Sequence, residues 1–120
     1  MEKIQIIEMV DLLTEEFKIR KPRVKITNAS AGCYFVDEHS ICLTPKSWFG
    51  MENLTIHEFA HALVWERHGR IKRGKQTDWH GPAFAKCLIE IINAWYGDQS
   101  KYCWKREYKS LKAYEPKKIA

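Results

Sequence analysis

His57-Glu58-Phe59-Ala60-His61 is the stretch on which the reading of this chain turns. On an α-helix, positions four apart lie ~40° apart in angle and ~6 Å apart along the axis. Two imidazoles at that spacing can reach one metal ion. Glu58, beside them, can address a water at the ion without being a ligand. This is the H-E-x-x-H arrangement, and its chance assembly in a chain with five histidines is rare. The flanks favour a metal. Ile56, Phe59, Ala60, Leu63 and Val64 are apolar, so this helix is expected to run through the core. Two histidines and a glutamate on such a helix need polar partners. A metal and its hydrogen-bonded surroundings would provide them; the plainer alternative is a pair of ordinary semi-buried histidines.

A catalytic zinc takes three protein ligands and keeps one position open. The leading candidate for the third is His80, in Trp79-His80-Gly81-Pro82-Ala83-Phe84. It stands just before a segment of helical pattern that can fold back antiparallel to the first. His68 lies on the same helix face as His61 but ~10 Å along the axis, too far for a straight helix to bring both to one ion. The longer H-E-x-x-H-x-x-G-x-x-H pattern would need a glycine and a histidine where this chain has Val64 and Arg67. Cys42, as a thiolate, and Glu90 remain as weaker alternatives.

Around this motif the chain divides simply. Residues 3–20 place Ile6, Met9, Val10, Leu13 and Phe17 at helical spacing, with Pro22 as a stop. Three strand-like runs follow, Arg23–Thr27, Cys33–Val36 and Ser40–Thr44, for which an antiparallel meander is the simplest arrangement. Pro45 after the third run suits an edge strand. The motif helix is expected from about Asn53 to His68, capped by Asn53 or Thr55, with Thr55 in capping-box spacing to Glu58 and Gly69 as its stop. A basic loop (70–80) leads to a further helix, with Pro82 in its first turn and Gly97 at its end. The expected architecture is therefore α+β: an N-terminal helix, a small three-stranded antiparallel sheet, the motif helix and a second helix packed on it. All 120 residues fit one domain, with 98–120 as a basic, aromatic tail.

Hydrophobic residues make up 45% of the chain and charged residues 29%, values of a globular rather than a disordered protein. The opening MEKIQIIEMVDLLTEEF carries acidic residues within its apolar stretch, so neither a signal peptide nor a membrane span is expected, and the expected location is cytoplasmic. The four cysteines, Cys33, Cys42, Cys87 and Cys103, form no C-x-x-C pair and read as free structural thiols. The net charge of +5 gathers in KIRKPRVK (18–25), RHGRIKRGK (67–75) and the tail from Lys101 to Lys118. Such clusters are either solvated surface or the footprint of an anionic partner, of which nucleic acid is the commonest.

His57-Glu58-Phe59-Ala60-His61-Ala62 followed by His80-Gly81-Pro82-Ala83-Phe84 resembles the SprT-like (Spartan-type) metallopeptidases, whose pattern is H-E-x-x-H, a loop, then H-G-x-x-F. The resemblance covers roughly residues 3–97. It implies a zincin-like fold, zinc held by His57, His61 and His80, and Glu58 as catalytic base. It also implies a link to DNA, since Spartan-type relatives cleave proteins on DNA. This chain lacks the C-terminal zinc-ribbon cysteines of many relatives and resembles a minimal catalytic domain.

Such a site would hydrolyse peptide bonds in a protein or peptide substrate. Tyr34, Tyr102 and Tyr108 are candidate donors to the oxyanion, each with packing or surface as the plainer role. Substrate is expected to extend along the edge strand Ser40–Thr44, and Asp78 could orient a histidine. In the tail, Tyr102, Trp104, Tyr108 and Tyr114 stand among lysines and arginines. That composition suits stacking on single-stranded or damaged DNA, or closure of the core by the aromatics. The competing functions are a nucleic-acid-binding module with a structural or vestigial zinc site, and hydrolysis of a non-protein amide.

Overall fold

The computed structural model describes residues 1–47, 50–69, 80–104 and 109–116, the side chains of 109 and 110 excepted. Helix α1 spans Lys3–Phe17 and buries Ile6, Met9, Val10 and Leu13, the stripe expected from their spacing. At its start the Glu2 N–H donates to Gln5 Oε1 at 2.7 Å. The helix ends three residues earlier than its pattern suggests. Lys18 adopts a left-handed conformation (φ 52°) and its N–H bonds Thr14 O, while Pro22 lies beyond the stop.

The strands are β1 (Arg23–Ile26), β2 (Cys33–Phe35) and β3 (Ser40–Leu43). They do not form an antiparallel meander. The sheet is mixed, in the order β1-β3-β2, with β3 parallel to β1 and antiparallel to β2. Arg23 faces Ser40 in the parallel pair, and Cys33 faces Cys42 in the antiparallel one. The run Ser40–Thr44 is therefore no edge strand: β3 is the centre of the sheet. All four residues of β3 are buried, whereas β1 and β2 are only partly covered. Burial on both faces is what a central strand requires. Pro45 lies past the strand's end and so does not interrupt its ladder. The segment 27–32 crosses the end of β3. It is pinned by Thr27 N–H to Leu43 O at 2.8 Å and by Thr44 Oγ1 to Ala29 O at 2.6 Å.

Helix α2 (Met51–His68) runs through the core, burying every residue from Leu54 to Ala60 and then Ala62, Leu63 and Val64. It starts earlier than expected, behind Gly50 at φ 77°, and neither Asn53 nor Thr55 caps it. Thr55 lies inside the first turns and donates Oγ1–H to Met51 O at 2.7 Å, satisfying a hydroxyl that is fully buried. Gly69 ends the helix as expected, its N–H on Trp65 O.

Helix α3 (Pro82–Tyr96) buries Phe84, Ala85, Cys87, Leu88, Ile91 and Ile92, and Gly97 closes it in the left-handed region (φ 76°). Its last turn is tied to the first turn of α2: Trp95 Nε1 donates to Glu52 Oε2 at 3.2 Å and Tyr96 Oη to Glu52 Oε1 at 2.7 Å. Near the other end, Arg67 of α2 bonds Glu90 at 2.6 Å. The first turn of α2 thus meets the last turn of α3, and the start of α3 reaches the middle of α2, where Phe84 and His80 lie against His57 and His61. Beyond α3, a 3-10 turn (Gln99–Lys101) leads to Tyr102 and Trp104, both buried, and Leu111 of the short helix α4 (Lys109–Lys112) joins the same core. Among the described residues, no helix is long and apolar enough to cross a membrane.

Candidate metal centre

His57 and His61 stand one turn apart on α2, and His80 arrives from the residue pair preceding α3. The ring centroids of His57 and His61 are 5.2 Å apart, those of His57 and His80 5.3 Å, and those of His61 and His80 4.9 Å. One nitrogen from each ring lies within 4.8 Å of the other two. A tetrahedral ion with bonds of about 2.05 Å wants its donors about 3.3 Å apart, so a small rotation of the rings closes the set on one ion. Three imidazoles suit a borderline cation such as zinc, and equally copper, nickel or cobalt.

Electrostatics prepare His61 for that role. Burial, then the neighbouring His57 and His80, pushes the His61 pKa well below its ordinary value. A neutral imidazole keeps the lone pair that a metal needs. Phe84, fully buried, forms the floor. Its ring stacks on His61 at 4.3 Å and sits against His57 at 5.0 Å and His80 at 4.9 Å. The sequence shows Phe84 as an apolar position of α3; its part in seating three ligands emerges only when α3 folds back.

Above the rings lies a cavity of about 220 Å³ lined by Gly32, Cys33, Tyr34, His57, Glu58, His61 and His80. Glu58 is buried (4% exposed) and shares this wall without belonging to the ligand cluster. Gly32, Cys33 and Tyr34 come from the start of β2. From the sequence Cys33 reads only as a structural thiol.

The rival ligands lie elsewhere. His68 is the exposed last residue of α2. Glu90 is engaged by Arg67. Cys42 is buried on the central strand opposite Cys33, and both are free thiols. Burial, aided by Cys42 and then Glu58, pushes the Cys33 thiol up to about 11. Of the candidate oxyanion donors, Tyr34 reaches the cavity, while Tyr102 packs edge-on against Trp104 in the core at 5.2 Å. Tyr108 and Asp78 lie outside the described residues.

The basic segment 18–25 is largely compensated: Arg20 pairs with Glu66 at 3.3 Å, Lys21 with Asp11 at 2.6 Å and Lys25 with Glu38 at 3.0 Å. In the tail, Tyr102 and Trp104 close the core, while Tyr114 is exposed. No family model, no curated protein and no solved structure matches this chain.

Proposed function

We propose that this chain is a zinc-dependent peptidase of zincin-like architecture, with His57, His61 and His80 as ligands and Glu58 as general base. One observation carries the reading: three imidazoles converge beneath a cavity whose wall also holds a carboxylate outside the ligand cluster. A purely structural site fills its coordination shell and has no use for a base beside an open cavity. The resemblance of His57–Ala62 and His80–Phe84 to SprT-like metallopeptidases supports the same reading.

When bound, zinc would supply Lewis-acid polarisation of the scissile carbonyl and activation of a water. Glu58 takes the proton of the attacking water on a carboxylate oxygen and passes it to the nitrogen of the leaving amine. Its burial keeps bulk water from competing for that proton. The substrate strand is assigned to the outer edge of β2 rather than to β3. Both sides of β3 are already occupied by β1 and β2, whereas β2 pairs on one side among the described residues and borders the cavity. Segment 18–25 is largely paired with acids and Tyr102 and Trp104 are buried, whereas 70–79, 105–108 and 117–120 lie outside the described residues, so the alternative of a nucleic-acid-binding module rests on composition alone.

The test is Glu58→Gln in the zinc-loaded protein, assayed on casein. Zinc content should stay at one ion per chain while turnover falls by about 10²–10⁴-fold. Undiminished turnover by the variant, or a wild-type protein that takes up no zinc, rejects the proposal.

A further inference from the structure

We infer that Gly32 is the positioning residue for the Glu58 carboxylate, the absence of a side chain at the entrance to β2 being what sets the base over the cavity. The inference rests on the peptidase reading above and adds a residue to it. A Cβ built on Gly32 would stand 3.1 Å from Glu58 Oε2, 2.9 Å from the Cys42 carbonyl oxygen and 2.8 Å from Leu54 Cδ1. The three contacts differ in kind. Leu54 presents the end of a flexible side chain and can swing aside. The Cys42 carbonyl belongs to the central strand and cannot. The backbone at 32 must then shift away from that carbonyl, or with it displace the nearby carboxylate.

Gly32 has no left-handed φ, unlike Gly50, Gly69 and Gly97. Space, not conformational freedom, is therefore what the position demands. Leu54 and Glu58 are four apart on α2 and face the same way, so the start of β2 rests across both. A methyl group at 32 either lifts β2 from α2 or turns the carboxylate out of place. The three histidines are carried by α2 and by the residue pair preceding α3, not by β2. The change thus reaches the base while sparing the metal set.

The experiment compares wild type, Gly32→Ala, Glu58→Gln and the double variant, each loaded with cobalt. It reads the cobalt dissociation constant, the visible spectrum, and kcat and KM on a peptide. Gly32→Ala should hold cobalt within about threefold of wild type and keep KM within about threefold. Its kcat should fall by about 10²-fold, the usual consequence of displacing a reacting group by about 1 Å. Its spectrum should move in the same sense as that of Glu58→Gln, and the double variant should move no further than Glu58→Gln alone. A folded Gly32→Ala with kcat within threefold of wild type, while Glu58→Gln is inactive, overturns the inference and leaves the peptidase reading intact. A fully active Glu58→Gln overturns both. Should Gly32→Ala fail to fold, Gly32→Ala/Leu54→Val, which removes the flexible contact, is read against Leu54→Val by the same criteria.

Discussion

Tyr34 and His39 are hydrogen-bonded: the hydroxyl oxygen lies 2.7 Å from Nδ1, and the other ring nitrogen, Nε2, lies 2.6 Å from the Arg20 carbonyl. A carbonyl can only accept, so in the neutral ring Nε2 carries the hydrogen and Nδ1 must be the acceptor. His39 is buried and holds φ at 48°, which fixes the ring between β2 and the α1–β1 connection. Burial, then Glu66, pushes the Tyr34 pKa up to about 12, so its proton is retained at neutral pH. Although Tyr34 borders the cavity, that proton is already committed. Tyr34→Phe should therefore leave kcat within about threefold while costing about 0.5–1.5 kcal/mol of stability, measured by urea unfolding. A loss of about 10²-fold in kcat at unchanged stability would instead make Tyr34 an oxyanion donor.

Metal loading should couple α2 to the segment before α3. Zinc at 100 times its dissociation constant stabilises a one-site protein by about 2.7 kcal/mol, or about 10 °C in Tm for a chain of this size. A chelator should reverse the shift. His80→Ala leaves two donors from one helical turn, and calorimetry should then show a shift of no more than about 2 °C. A full shift in that variant would place the third ligand elsewhere.

The helices and the histidine cluster were legible because their signals are local. The four-residue spacing of His57 and His61, Pro82 at the head of α3, and the stops at Gly69 and Gly97 each act within a turn or two. The strand limits were legible too, within a residue at each end. Strand order was not. The pairing of Val24 with Ile41 depends on where the segment 27–32 crosses, and a meander uses the same alternating pattern. A signal was present in the unbroken burial-prone run Ser40-Ile41-Cys42-Leu43, set against Arg23 and Lys25 in β1. The role of Gly32 left no trace, because a glycine chosen for close approach looks like one chosen for a turn.

The metal-free protein should lose stability on mild acidification. The folded pKa of His61 lies well below the ordinary histidine value, through burial and then its two histidine neighbours. The unfolded ring titrates near 6.5. Below that pH the unfolded chain takes up a proton that the folded chain refuses, so stability falls as pH drops and is level above it. Between pH 6.5 and 5.5 most carboxylates remain ionised, which separates this effect from ordinary acid unfolding. Tm of the chelated protein should decline across that window and do so less steeply in His61→Gln. A flat wild-type profile from pH 7.5 to 5.5 would show that the His61 ring is not held neutral.

Cys33 should be a slow nucleophile despite bordering the cavity. Its pKa, raised from 9.0 to about 11 by burial and then by the Cys42 thiol opposite, leaves little thiolate at neutral pH. The rise amounts to about a hundredfold less of the reactive form. With the chain chelated at pH 7.5, iodoacetamide should modify Cys33 about a hundredfold more slowly than it does a free thiol, followed by mass spectrometry. The rate should rise in Cys42→Ala, which removes the opposing thiol that helps hold the Cys33 proton. If Cys33 instead reacts as fast as a free thiol, the β2–β3 register that sets it against Cys42 is not maintained in solution, and the wall that Gly32 and Tyr34 share with it goes too.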